Sequence, residues 1–162
     1  MLNAKMQKAL NEQINAETYS GYLYLAMAAY FESVNLRGFA HWMRVQAKEE
    51  MNHAGKIFDY VNERRGRVTL TAVEAPQAEW KSSLAVFEAA YKHECKVSAM
   101  IDKLVELARG AKDNATENFL QWFVKEQVEE EASADEIVQL LKLAKDAPGA
   151  LLMIDRQLAA RE

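Results

Sequence analysis

Proline and glycine are scarce in this chain, two and six respectively among 162 residues, so little interrupts a long helix. Cysteine is nearly absent. With Cys95 alone, no intrachain disulfide can form, a reducing compartment fits, and the thiol is expected as a small buried hydrophobe. The first residues, MLNAKMQKALNEQ, lack the apolar stretch of a secretory signal. No apolar run approaches the roughly 20 residues needed to cross a bilayer. A large charge excess is missing too: the net charge of −4 argues against nucleic acid or an anionic membrane as the main partner. A soluble cytoplasmic protein is expected.

What is present is an ordinary globular composition, half hydrophobic and about a quarter charged, in a length that suits one domain over 1–162. Apolar residues recur in alternating steps of four and three along four segments. One seam reads Leu10, Ile14, Glu17, Gly21, Tyr24, Ala28, Phe31, and a second Phe39, Met43, Gln46, Glu50, His53, Ile57, Tyr60. The third is Leu84, Phe87, Tyr91, Glu94, Ser98, Ile101, Val105, and the fourth Leu120, Phe123, Gln127, Glu130, Ala134, Ile137, Leu141. Each seam places at least one carboxylate where a core residue belongs. An ionised carboxylate is costly to bury unless it is paired or bound to metal, and these seams contain no Lys or Arg.

Helices are predicted over about 3–32, 38–65, 83–110, 114–145 and 148–160. Asn3 suits the first N-cap and Ser82 or Ser83 the third. Asn114 and Glu117 have the spacing of a capping box. Arg65-Gly66 suits a helix stop, Asp146-Ala147-Pro148-Gly149 a break, and Pro148 the first turn of the short fifth helix. The stretch 66–82, with Pro76, reads as an extended crossover containing one short strand. Short links pair helices one with two and three with four, whereas the middle link can travel the length of a bundle. The fold class is therefore all-α: a four-helix bundle with one long crossover and a short C-terminal fifth helix.

Glu17, Glu50, Glu94 and Gln127 each lie about 12 to 14 residues into their helices, so all should meet in one central layer. Glu50 and His53 form an E-x-x-H pair at i, i+3, which lets one helix offer oxygen and nitrogen to one metal. Mostly carboxylate donors with one imidazole suit iron or manganese better than zinc. Four glutamates can hold two ions with one carboxylate bridging.

The segments LNEQINAETYSGYLYLAMA (10–28), QAKEEMNHAGKIFDYV (46–61), YKHE (91–94) and FLQWFVKEQVEEE (119–131) resemble the non-haem ferritins of the bacterial and archaeal type, and the likeness spans the chain. The resemblance implies a ferritin-like bundle with ferroxidase activity. It implies one iron on Glu17, Glu50 and His53, and a second on Glu50, Glu94 and Glu130 with Gln127 nearby. Tyr24 matches a tyrosine beside the family's centre, a hydrogen-bond partner or electron donor there; on pattern alone it reads equally as a packed aromatic. Bacterial ferritins often carry a third iron just inside the shell, and Glu49, Glu126 and Glu129 match its ligands, with Glu130 shared. On bare sequence this acidic run reads as a solvated face. The family builds shells of twenty-four subunits that take in Fe(II), oxidise it with dioxygen or peroxide and store ferric mineral. The fifth helix would then pack at a subunit junction through Leu151, Leu152 and Leu158.

Some positions depart from relatives. Where bacterioferritins carry a second E-x-x-H, this chain reads Gln127-Val128-Glu129-Glu130, so iron is expected as substrate and haem at Met51 is not expected. Of two acidic channel positions in animal ferritins, Glu117 keeps the first and Leu120 replaces the second. A bacterioferritin-like di-iron oxidoreductase or peroxidase is the alternative reading. His41 and His93 lie off the seams, as surface or boundary residues, and Trp42, Trp80 and Trp122 read as packing residues.

Overall fold

Five helices make up the regular structure in the computed structural model, which describes residues 1–145 and 147–162. They are α1 (Ala4–Ser33), α2 (Arg37–Glu63), α3 (Ser83–Gly110), α4 (Asn114–Ala144) and α5 (Pro148–Leu158). Asp146, in the predicted break, lies outside the described residues. No described helix is long and apolar enough to cross a membrane. The all-α architecture is as expected: α1 packs along α2, α3 along α4, and the pairs meet mainly through α1 and α3.

The helix starts follow local chemistry. Asn3 accepts a hydrogen bond from the Met6 amide at 2.8 Å, and Ser82 accepts one from Ala85 at 3.1 Å. The fourth start corrects the predicted box: Asp113 is the N-cap, accepting from the Thr116 amide at 3.1 Å, and Asn114 is already helical. Asp113 is held there because Arg64, at the end of α2, donates to both its oxygens at 3.0 and 3.2 Å. No side chain near the α2 start caps it. Asp155 of α5 reaches across instead, accepting from the amides of Gly38 and Phe39 at 2.7 and 3.0 Å. A Cβ on Gly38 would lie 1.7 Å from the Asp155 carbonyl oxygen, so this docking requires glycine.

The helix stops also differ from expectation. Gly66 does not adopt a positive φ; Arg65 does, at 56°, as do Asn35 at 60°, Lys112 at 54° and Lys145 at 48°. After α1, α2 and α3 the next amide closes the turn onto the carbonyl five residues back: Leu36 to Phe31, Gly66 to Val61 and Asp113 to Ala108, at 2.8 to 3.0 Å.

The crossover contains no strand among the described residues, contrary to the sequence reading. A strand needs a neighbour to satisfy its backbone, and here α1 supplies side chains instead. Gln7 accepts from the Arg67 amide at 2.9 Å, Asn11 accepts from Thr69 at 2.8 Å, and Asn15 donates to the carbonyls of Thr71 and Ala72 at 3.3 and 3.0 Å. Spaced four apart, these three residues line one edge of α1 and guide the crossover along it.

Two apolar clusters fill the bundle. One contains Phe31, Phe39, Trp42, Phe87 and Leu141; the other contains Leu10, Ile57, Ile101, Leu120 and Phe123. On every helix the predicted carboxylate or amide positions fall between the two. Gly21, where α1 crosses α2, would bring a Cβ within 3.2 Å of the Ala47 carbonyl oxygen, so its lack of a side chain permits the close approach that seats Glu17 beside Glu50.

Candidate metal centre

The polar layer between the clusters is buried on all four helices: Glu17, Glu50, His53, Glu94, Gln127 and Glu130. Their donor atoms converge in three interlocking triads, each with ligand atoms within 4.8 Å of one another. The first joins Glu17, Glu50 and His53; another joins Glu50, Glu94 and Glu130; the last joins His53, Glu126 and Glu130. Glu50 belongs to two of the triads, one built on α1 and α2 alone and one that joins α2 to α3 and α4. His53 turns Nδ1 toward Glu50 at 3.4 Å and Nε2 toward Glu126 at 3.8 Å.

Hydrogen bonds hold most of these groups. Tyr24 donates its hydroxyl proton to Glu94 Oε1, while Gln127 Nε2 donates to Glu94 Oε2 at 3.1 Å. Two amides that the seam pattern did not single out as functional also belong to the site. Gln46 donates to Glu50 at 2.9 Å and to Glu130 at 2.6 Å, and Gln13 donates to Glu17 at 2.8 Å. The signal was available: on α1 and α2 alike, a glutamine stands four residues before the buried glutamate. Glu17 Oε2 and Gln46 Oε1 are buried with no hydrogen-bond partner.

The electrostatics favour a cation. Burial, with the Glu50 charge next, pushes Glu17 up to about 8. Burial and the Glu94 charge take Glu130 up to about 7, and burial with Glu94 and Glu130 raises Glu50 well above the ordinary carboxylate range. Glu94 is raised by burial although Tyr24 and Gln127 donate to it. Tyr24 is held well above the usual phenol range by burial and by Glu94. Without a cation, several of these carboxyls keep protons at neutral pH. A divalent ion bound here would replace those protons and give the orphaned Glu17 oxygen a partner.

The outer acidic positions divide. Glu126 joins the cluster through His53, whereas Glu129 is exposed and lies 3.8 Å from Lys125. Glu49 is bound by Arg161 at 2.5 Å, a contact across 112 residues that no local sequence signal announces. His93 is more than a boundary residue: Nε2 meets Ser20 Oγ at 2.7 Å and the ring lies edge-on to Tyr24, with centroids 6.4 Å apart. Burial, then Lys96, lowers its pKa to about 4, so it is neutral at pH 7. Cys95 is half-buried, not buried, and lies beside Tyr91. Met51 is half-exposed, with its side chain against Gly21 of α1. Leu120 is fully buried in the apolar cluster that contains Leu10 and Phe123, while Glu117 accepts from Arg109 at 2.6 Å. In α5, Leu158 is buried within the chain and Leu152 is exposed.

A four-helix bundle whose core is a carboxylate–histidine cluster defines a class of proteins that can hold metal ions between their helices. Residues 7–144 match the ferritin-like domain family, and the chain belongs to the ferritin family. It is 46% identical over 161 residues to a bacterial non-heme ferritin of Bacteroides fragilis, covering 99% of this chain and 100% of that one. A bacterial non-heme ferritin of Staphylococcus saprophyticus is 42% identical, covering 99% of this chain and 96% of that one. Among solved structures, the open pore ferritin of the archaeon Archaeoglobus fulgidus superposes with a TM-score of 0.99 at 57% identity, and both chains are covered completely.

Proposed function

We propose that this chain, as a single ferritin-like domain spanning 1–162, stores and detoxifies iron in the cytoplasm. In this reading it is a ferroxidase that assembles into a multi-subunit shell, expected to hold twenty-four copies, with ferric mineral inside. One Fe(II) binds Glu17, Glu50 and His53; the other binds Glu50, Glu94 and Glu130, with Gln127 alongside. Each Fe(II) gives up one electron, and the two electrons, with two protons from solvent water, reduce dioxygen to hydrogen peroxide or hydrogen peroxide to two waters. A third iron site just inside the shell is held by Glu49, Glu126 and Glu129, with Glu130 shared. Tyr24 orients Glu94 through its hydroxyl.

The observation that carries the reading is the pair of triads sharing Glu50, together with the unpartnered Glu17 oxygen. A pair of metals about 3.5–4 Å apart can share one carboxylate, and Glu50 is the residue common to both triads. The protein's part is to hold two cations together in a site walled off from water by the flanking apolar clusters.

Aerobic Fe(II) addition to the metal-stripped protein, followed by near-ultraviolet absorbance beside a protein-free blank, tests this. Fast growth saturating at a few irons per chain, then continuing into a soluble mineral held by a large particle, is the expected result. Oxidation no faster than the blank would overturn the proposal.

A further inference from the structure

The C-terminal segment runs back along α2 toward the metal centre. Its anchor is the cap that Asp155 provides to Gly38 and Phe39. Beyond α5 the Arg161 carbonyl accepts from His41 Nε2 at 2.7 Å. The Arg161 guanidinium then lies over the Trp42 ring, 4.3 Å from its centroid, and donates to the Trp42 carbonyl at 3.5 Å and to Glu49 Oε2 at 2.5 Å. Three contacts of the guanidinium, spread over about two turns of helix between Trp42 and Glu49, define a seat for this side chain, and a guanidinium keeps its charge at any ordinary pH. Glu49 precedes Glu50 directly, and its charge is among those felt by Glu130. A cation on Glu49 therefore stands at the edge of the cluster.

We propose that Arg161 is a tethered competitor cation. It occupies Glu49 in the metal-free protein, and a further divalent ion beside the two-metal centre binds Glu49 only by displacing it. The strap formed by α5 and its tail thus sets how tightly metal is held on the way out of the centre. This deepens the proposed function and rests on its third iron site at Glu49, Glu126 and Glu129.

Calorimetric titration of the assembled, metal-stripped protein with zinc(II) alone separates the two ideas, because zinc neither oxidises nor mineralises. Wild type, R161Q, E49Q and the double variant are compared. The two tight equivalents per chain are expected in all four. In R161Q the next equivalent tightens by about fivefold, the scale of a partly exposed ion pair. In the E49Q background the Arg161 change has no such effect. An unchanged further equivalent in R161Q would overturn the tether, and so would an equal gain in the E49Q background, which would make Arg161 a general charge. Loss of the two tight equivalents from wild type would overturn the two-metal reading on its own, since the Arg161 comparison is read from a separate equivalent.

Discussion

Glu17 and Glu50 lie one helical crossing apart, and each is tied by its own helix through a glutamine one turn earlier. Such amides orient a carboxylate without neutralising it, which keeps the oxygen's charge available to metal. Glu50 is the sharper test, since it belongs to both halves of the proposed centre. E50A should bind fewer than two zinc ions per chain and should lower the rate of the fast phase of iron oxidation by about 100-fold or more, in line with losing a shared ligand. Unchanged rates would remove Glu50 from the bridging position. The buried residues of the candidate centre were largely legible because a charge in the core breaks a helical pattern visibly. Gln46 and Gln13 were less so, since an uncharged amide on a seam, like Gln46, also passes for packing and Gln13 lies off the seam, and only their contacts tie them to the site.

At the scale of the helix, the ends hold the surprises. Four non-glycine residues take left-handed conformations at or just past a helix end, and Lys112 is exposed with no ion-pair partner among the described residues. Glycine there relieves the Cβ crowding but adds unfolded-state entropy, and K112G should gain about 0.5–1 kcal/mol. Thermal unfolding measures it, and a destabilised variant would contradict the argument. Gly38 predicts the opposite sign. G38A drives a methyl group into the Asp155 carbonyl, so α5 must shift away, at a cost of about 1–3 kcal/mol. Trypsin should then cut at Arg156 far faster than in wild type; equal protection would mean that α5 accommodates the methyl group where it sits. The capping box was misplaced by one residue because Asn114 and Asp113 both satisfy the local rule. The choice between them is made by Arg64, which belongs to another helix.

For the whole molecule, the cluster links stability to pH and to metal. Glu17 and Glu130 carry native values near 8 and 7, against an ordinary carboxylate value of 4.5. Between pH 5 and 8 the native state therefore holds protons that the unfolded chain has released, and stability falls as pH rises. Their contribution is fully present below pH 4.5 and lost through pH 7 to 8. The metal-free protein should melt at a lower temperature at pH 8 than at pH 5.5. Saturating zinc should reverse this, because the ion takes the place of the protons. A metal-free protein more stable at pH 8 would show that the carboxyls ionise freely in the folded state.

The same scale divides what was readable from what was not. Helix periodicity, the lengths of the connections and the off-pattern carboxylates are local properties, so the sequence alone determined an all-α bundle, its long crossover and the central polar layer. Side-chain partners far apart in the chain obey no local rule. The cradle of Gln7, Asn11 and Asn15 under the crossover, the cap from Asp155 and the hold of Arg161 on Glu49 exist only once the helices are packed. Tertiary structure decided them because a backbone amide or a carboxylate takes whichever partner the assembled bundle brings within hydrogen-bond reach.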